Sequence, residues 1–95
     1  MTFHDDLTTF LSDPHLELDL FEARERRTQR LDEIRRAFSR PNKEFFAAQR
    51  PVFKDWRHEC RDAETRYLHR KLQDASIARF PGLAQLLSSV LEVRN

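Results

Sequence analysis

The stretch that decides the fold is residues 51–80, PVFKDWRHECRDAETRYLHRKLQDASIARF. It is the longest uninterrupted helical pattern in the chain, and it holds the only Trp, the only Cys and the only Tyr. At 100° per residue its apolar side chains fall on one broad face, as in an amphipathic helix. That face comprises Phe53, Trp56, Cys60, Ala63, Tyr67, Leu68, Leu72, Ala75 and Ala78. We expect the helix to end near Phe80, because Pro81 disfavours helical geometry at the residue before it.

The composition favours an all-α fold. A single Gly and few β-branched residues argue against sheets and hairpins. Eight Phe residues in a chain of 95 indicate a packed core rather than a disordered chain. We predict a small bundle of three to four helices, built on a long antiparallel helix hairpin, with residues 1–95 forming a single helical domain.

The first half of the chain predicts two helices. Thr2 is placed to cap a short helix with one apolar stripe, and Asp13-Pro14 is expected to stop this helix. The stripe is Phe3, Leu7, Phe10 and Leu11. Asp13 is the expected N-cap of the next helix, with Pro14 in its first position, where the missing N–H costs nothing. This second helix should run from Pro14 to about Phe38.

The inner face of the second helix contains one charged residue. Glu22–Arg26 and Asp32–Arg36 are spaced to form ion pairs on its outer faces. Arg27 interrupts the apolar stripe: either its stem packs while its head reaches solvent or an acid across the bundle, or a partner supplies the counter-ion. The full stripe is Leu16, Leu20, Ala23, Arg27, Leu31, Ile34 and Phe38.

Between the two long helices, Asn42 is placed to cap a short helical segment, KEFFAAQR, at residues 43–50. Phe45 and Phe46 are adjacent, so they cannot both face the same core. One is expected to plug the end of the bundle, and the other is a second core contact or an exposed anchor. Pro51 either restarts the helix or kinks a continuous one.

The last element, GLAQLLSSVLEVRN at residues 82–95, has a dense apolar stripe. It either closes the bundle or docks on another chain. We place Leu87 and Leu91 among the candidate partner-binding residues. The predicted stripe is Leu83, Leu86, Leu87, Val90, Leu91 and Val93.

Charge is unevenly distributed although the net charge is only +1. Residues 1–22 carry six acids and no basic residue, whereas residues 23–40 carry seven Arg against three acids. The third helix adds basic pairs at i, i+4, Arg57 with Arg61 and Arg66 with Arg70. Such rows can follow phosphates, so a nucleic-acid-associated accessory protein is an alternative function. Interspersed acids and the near-zero net charge argue against it.

Catalytic and metal chemistry have weak support. His58, Asp62 and His69 share a sector of the third helix with Asp55, but this sector faces away from the predicted core. A carboxylate-bridged metal site needs ligands from several inward-facing helices, so a metal-binding helical enzyme is a remote alternative. Cys60 lies on the apolar face, where His58 cannot serve as its base. We expect no enzyme, no metal and no cofactor.

The composition also indicates the cellular compartment. One Cys cannot form an intrachain disulfide, which favours a reducing, cytoplasmic setting. The first 22 residues contain no Lys or Arg and no long apolar run, so no secretory signal is expected, and the stretch from Leu83 to Val93 is too short to span a bilayer.

The leading functional prediction is a non-enzymatic protein–protein interaction module. Small chains of this kind are often inhibitors, adaptors or assembly factors, including those that phages and mobile elements encode. The charge split suggests an antiparallel homodimer, acidic segment on basic, or an acidic arm that reaches a basic site on a partner. The candidate partner-binding residues are Arg27, Arg57, Arg61, Arg66, Arg70, Phe45, Phe46, Leu87 and Leu91.

Overall fold

The computed structural model describes the backbone of residues 3–77 and 81–94, and the side chains of residues 7–75 and 82–94. Within these ranges the backbone forms four α-helices and no strand. The predicted all-α fold, a small helical bundle, is confirmed. The helices are α1 (Phe3–Leu11), α2 (Pro14–Ala37), α3 (Lys43–Ile77) and α4 (Pro81–Arg94).

Side-chain caps begin α2 and α3, as the sequence predicts. Asp13 Oδ1 accepts hydrogen bonds from the backbone N–H of His15 at 2.9 Å and of Leu16 at 3.2 Å. Asn42 Oδ1 accepts one from the N–H of Phe45 at 2.9 Å. Each cap satisfies N–H groups that have no partner within the helix. The predicted cap at Thr2, the contact at Ala78 and the helix end near Phe80 lie outside the described residues.

Pro51 lies inside one continuous helix rather than at the start of a new one. The predicted segment at residues 43–50 is therefore the first part of α3. The proline nitrogen carries no hydrogen, so the carbonyl of Ala47 receives no hydrogen bond from residue 51. The helix therefore continues through Pro51 with one backbone hydrogen bond fewer than an uninterrupted helix.

The chain divides into two compact units, which we describe separately. Unit 1 takes Met1–Leu16 and Ala63–Asn95, and unit 2 takes Glu17–Asp62. The prediction of a single domain over residues 1–95 stays a prediction.

Unit 2 contains the predicted antiparallel helix hairpin. Arg26 Nη2 lies 3.2 Å from Glu59 Oε2, and Arg30 Nη1 lies 2.8 Å from Asp55 Oδ2. Because the later residue on α2 meets the earlier residue on α3, the two helices run antiparallel. The inner face predicted for α2 is confirmed: Ala23 is buried and the other six residues are half-buried.

The ion pairs expected within α2 are wrong. Arg26 pairs with Glu59 of α3 rather than with Glu22, and Asp32 pairs at 3.4 Å with Arg35 rather than with Arg36. Arg26 and Arg30 lie beside the contact with α3, so carboxylates on the facing helix are within reach. Exposed pairs of this kind contribute at most about 1 kcal/mol each, so we assign them to helix register rather than to stability.

Unit 1 contains α1, all of α4 and the part of α3 that follows Asp62. Ala63 and Ala75 on α3 are each 1% exposed, and their small side chains let neighbouring helices approach closely. The C-terminal end of α4 is held on α3 by Arg94, whose Nη2 lies 2.9 Å from Glu64 Oε2 and whose Nη1 donates to Thr65 Oγ1 at 3.0 Å.

The apolar stripe of α4 is divided between core and surface, which corrects the prediction of a single buried or docking face. Leu87 and Leu91 are 6% and 4% exposed and belong to the core of unit 1. Leu86 and Val93 are 60% and 87% exposed. The six apolar residues span almost half of the helix circumference, so one contact surface covers only part of them.

Candidate functional site

An open groove of about 700 Å³ runs along α3 within unit 2. Its lining residues recur at helical spacing, so they form one face of the helix. Two phenylalanine rings and a proline supply apolar surface, three cations line the same groove, and no carboxylate does within the described part of the chain. The lining of this α3 groove is Phe46, Gln49, Arg50, Pro51, Phe53, Lys54 and Arg57.

A cluster of aromatic rings positions the N-terminal end of the groove. Phe45 packs edge-to-face on Phe38 at a centroid distance of 5.9 Å and is half-buried. Phe46 packs edge-to-face on Phe45 at 5.3 Å, and 53% of its surface remains exposed. One of the adjacent rings therefore packs and the other is exposed, which decides between the two alternatives for the second ring, while a role of Phe46 in anchoring a partner stays a prediction.

In the part of α3 that belongs to unit 2, the acids that pair with α2 and the cations that line the groove lie on different sides of the helix. Asp55 and Glu59 face α2, where they pair with Arg30 and Arg26. Arg50, Lys54 and Arg57 are exposed and line the groove. Arg61 follows one turn after Arg57 and is exposed as well. The groove side of α3 is therefore locally positive although the whole chain is nearly neutral.

Within unit 2, the side chain of Arg27 contacts the ring of Trp56. Its guanidinium carbon lies 4.3 Å from the centre of the Trp56 ring, within the range of a cation–π contact. The residue is half-buried, as expected for a stem that packs in the stripe. The indole ring, rather than an acid across the bundle, contacts the guanidinium of Arg27. The predicted contact of Arg27 with a partner protein stays a prediction.

We predict that Arg27→Gln lowers the free energy of unfolding by about 1 kcal/mol and changes the fluorescence of Trp56. The spectrum reports on this contact directly, because Trp56 is the only tryptophan. Arg24→Gln, an exposed position on the same helix, is the control and should change neither quantity. Equal effects of the two substitutions on the emission spectrum would contradict the assignment.

No family model, curated protein or solved structure matches this chain. Function is therefore inferred from the chemistry of its surfaces. Among the described residues, no group of three or more His, Cys, Asp or Glu side chains is placed to hold a metal ion. His58, Asp62 and His69 are exposed, as the prediction of a solvated sector requires.

Arg70, a predicted partner-binding residue, is engaged within unit 1. Its Nε donates to Asp13 Oδ2 at 3.0 Å, and the Asp13 side chain is only 6% exposed. Burial raises the pKa of the Asp13 carboxyl, but the hydrogen bond from Arg70 and the two backbone N–H donors lower it more. The pKa of Asp13 is therefore below its usual value.

Two further side chains of α3 hold the carboxyl end of α1. The Tyr67 hydroxyl donates to the carbonyl of Leu11 at 2.7 Å, and Lys71 Nζ donates to the carbonyl of Ser12 at 3.2 Å. Carbonyls at a helix C-terminus lack partners within the helix and attract positive charge. Burial and, secondarily, the charge of Asp13 raise the pKa of Tyr67. We refer to Asp13, Tyr67, Arg70 and Lys71 as the corner cluster.

Lys71 is the residue that sequence reasoning missed. It is 8% exposed, and its ammonium lies 5.3 Å from the centre of the Phe10 ring and 5.8 Å from that of Tyr67. The available signal was its position one turn after Tyr67, at the edge of the apolar face of α3.

The remaining predicted partner-binding residues are scattered. Arg66 is exposed on α3 within unit 1. Leu87 and Leu91 are interior, and the exposed apolar residues of α4 are Leu86, Val90 and Val93. Of the nine predicted residues, Phe46 and Arg57 line the α3 groove, and Phe45 supports it.

Within the described ranges, no helix has both the length and the hydropathy needed to cross a membrane.

Proposed function

We propose that this chain is a non-enzymatic protein–protein interaction module that binds a partner protein through the α3 groove. The observation that carries the proposal is the lining of the groove, which combines the exposed ring of Phe46 and the half-buried ring of Phe53 with three cations and no carboxylate within the described residues. Aromatic and arginine side chains dominate the energetics of protein interfaces, and desolvated apolar surface supplies most of the binding free energy.

The same lining supports a partner of defined chemistry. A groove along one helix suits an extended or helical segment with apolar side chains one turn apart. Arg50, Lys54 and Arg57 favour carboxylates beside those side chains. We propose the class of inhibitor, adaptor or assembly factor for this module, and the cytoplasm for its compartment, which its single cysteine supports.

A single strand of nucleic acid is the competing ligand. Phe46 and Phe53 could stack on bases while the cations contact phosphates. The mainly apolar floor favours protein side chains, since a strand of nucleic acid would leave its own charged backbone over that floor. Gel-shift titration with a short single strand and a short duplex at low salt distinguishes a nucleic-acid ligand from a protein ligand. Tight binding that Arg57→Glu abolishes would favour nucleic acid.

Site-specific photo-crosslinking in the native host tests the proposal. A benzophenone side chain at Gln49, which lines the groove, is expected to crosslink to one defined protein. The same group at Gln73, an exposed position elsewhere on α3, is the matched control and should not. Adding Arg50→Glu and Lys54→Glu should remove the crosslink, because charge reversal repels an acidic segment.

Equal crosslinking from the two positions, or a Gln49 crosslink that survives charge reversal, would defeat the proposal.

A further inference from the structure

Unit 2 carries a second exposed surface, on α2, whose chemistry is the inverse of that of the α3 groove. Leu18 and Phe21 are 53% and 58% exposed. Glu22 and Glu25 are exposed and share their face of the helix, since they follow Leu18 at i+4 and i+7. We refer to these four exposed residues as the α2 stripe, which is distinct from the apolar stripe on the inner face of the same helix. It lies opposite to the inner face that packs on α3.

The two surfaces carry complementary side chains. The stripe holds two apolar residues and two acids, and its ends lie seven residues apart, about 10 Å along a helix. The groove lining extends from Phe46 to Arg57, so it is longer than the stripe, and its three cations are interleaved with apolar residues. A stripe laid along the groove therefore brings apolar side chains against the phenylalanine rings and carboxylates within reach of the cations.

The geometry points to a second copy of this chain as an occupant of the α3 groove, with the α2 stripe of that copy as the docking segment. This inference rests on the proposed function, because it uses the same groove, and it specifies one partner. Leu18 and Phe21 would cover the phenylalanine floor. Glu22 and Glu25 would neutralise the cations beside it.

Each copy then offers one stripe and one groove. The stripe faces away from α3, and the groove lies on the side of α3 away from the carboxylates that meet α2, so two copies join through one stripe and one groove. Such a pair leaves one stripe and one groove free, to which further copies can add head to tail. Because the charged groups are exposed, the association should weaken as salt is raised.

Sedimentation equilibrium of the full chain tests the inference. We expect reversible self-association with a dissociation constant between about 1 µM and 1 mM. The groove variant Arg50→Glu/Lys54→Glu and the stripe variant Leu18→Ser/Phe21→Ser should each weaken it at least about tenfold. All four positions are exposed, so circular dichroism should be unchanged and loss of fold is excluded as the cause.

Mixing the variants gives the sharpest readout. The groove variant retains an intact stripe and the stripe variant retains an intact groove, so an equimolar mixture should form a one-to-one dimer that neither forms alone. Glu22→Lys/Glu25→Lys mixed with the groove variant should likewise associate, because the charges are exchanged. The control Asp62→Lys, exposed on α3, should leave association unchanged.

The outcomes separate this inference from the proposed function. A wild-type chain that stays monomeric at about 1 mM, or single variants that self-associate as strongly as the wild type, would overturn self-association through these surfaces. The groove remains a site for another protein if the Gln49 crosslink to that protein persists. If neither a crosslink nor self-association is found, both the proposed function and the self-association inference are contradicted.

Discussion

Replacing Leu87 with alanine is expected to lower the free energy of unfolding by about 2–4 kcal/mol. Leu87 is 6% exposed in the core of unit 1, so truncation removes buried methyl groups and leaves a cavity that its neighbours fill only in part. A loss of this size is a large fraction of the roughly 5–15 kcal/mol that stabilises a typical small domain. Chemical denaturation followed by far-ultraviolet circular dichroism measures it.

The adjacent residue is a closely matched control. Leu86 has the same side chain on the same helix, yet it is 60% exposed. Leu86→Ala should change the free energy of unfolding by no more than about 0.5 kcal/mol. The two leucines are indistinguishable by residue type and lie one position apart. Comparable losses at both positions would show that α4 packs through a different face.

Asp13→Ala is expected to destabilise the chain by about 2–3 kcal/mol. The substitution removes the N-cap of α2, which accounts for about 1 kcal/mol, and the charged hydrogen bond from Arg70. Asp13→Asn retains a capping oxygen and loses the charge, so it should cost less than Asp13→Ala. Asp62→Ala, an exposed position, is the control and should be nearly neutral.

The corner cluster also predicts a dependence on pH. The pKa of Asp13 in the folded chain lies below its unfolded value, so the unfolded state binds a proton more readily. The stabilisation is therefore complete above the unfolded value of 3.8 and is lost as the pH falls through the folded pKa. Thermal unfolding of wild type and Asp13→Asn in acid should show the gap between them closing as the pH is lowered. A gap that widens instead would contradict the pKa direction.

Most of the fold follows from patterns local in sequence. The periodicity of residues 51–80 predicts the apolar face of α3, and Phe53, Trp56 and Cys60 are half-buried along it. Asp13 and Asn42 mark the starts of α2 and α3 through side-chain oxygens placed to accept from the next backbone N–H groups. Such signals are readable because helix periodicity and capping depend on neighbours a few residues apart.

The candidate site was only partly predictable. Phe46 and Arg57 were identified from residue type, whereas Arg50, Lys54 and Phe53 belong to the groove because they share a face with them. That grouping depended on Pro51 lying inside a continuous helix, which the sequence left as one of two alternatives. With a break at Pro51, residues 46 and 53 would have no defined relative orientation.

The sequence alone determined the helical class, the caps at Asp13 and Asn42 and the faces that the long helices bury, whereas the structure decided that α3 continues through Pro51. The tertiary structure decided the partners: Arg27 meets Trp56, Arg26 meets Glu59 and Arg70 meets Asp13. It also decided that Leu87 is interior while Leu86 is exposed. The reason is physical, since helix periodicity is a short-range property, whereas the choice among several nearby acids, rings or leucines depends on which helix lies opposite.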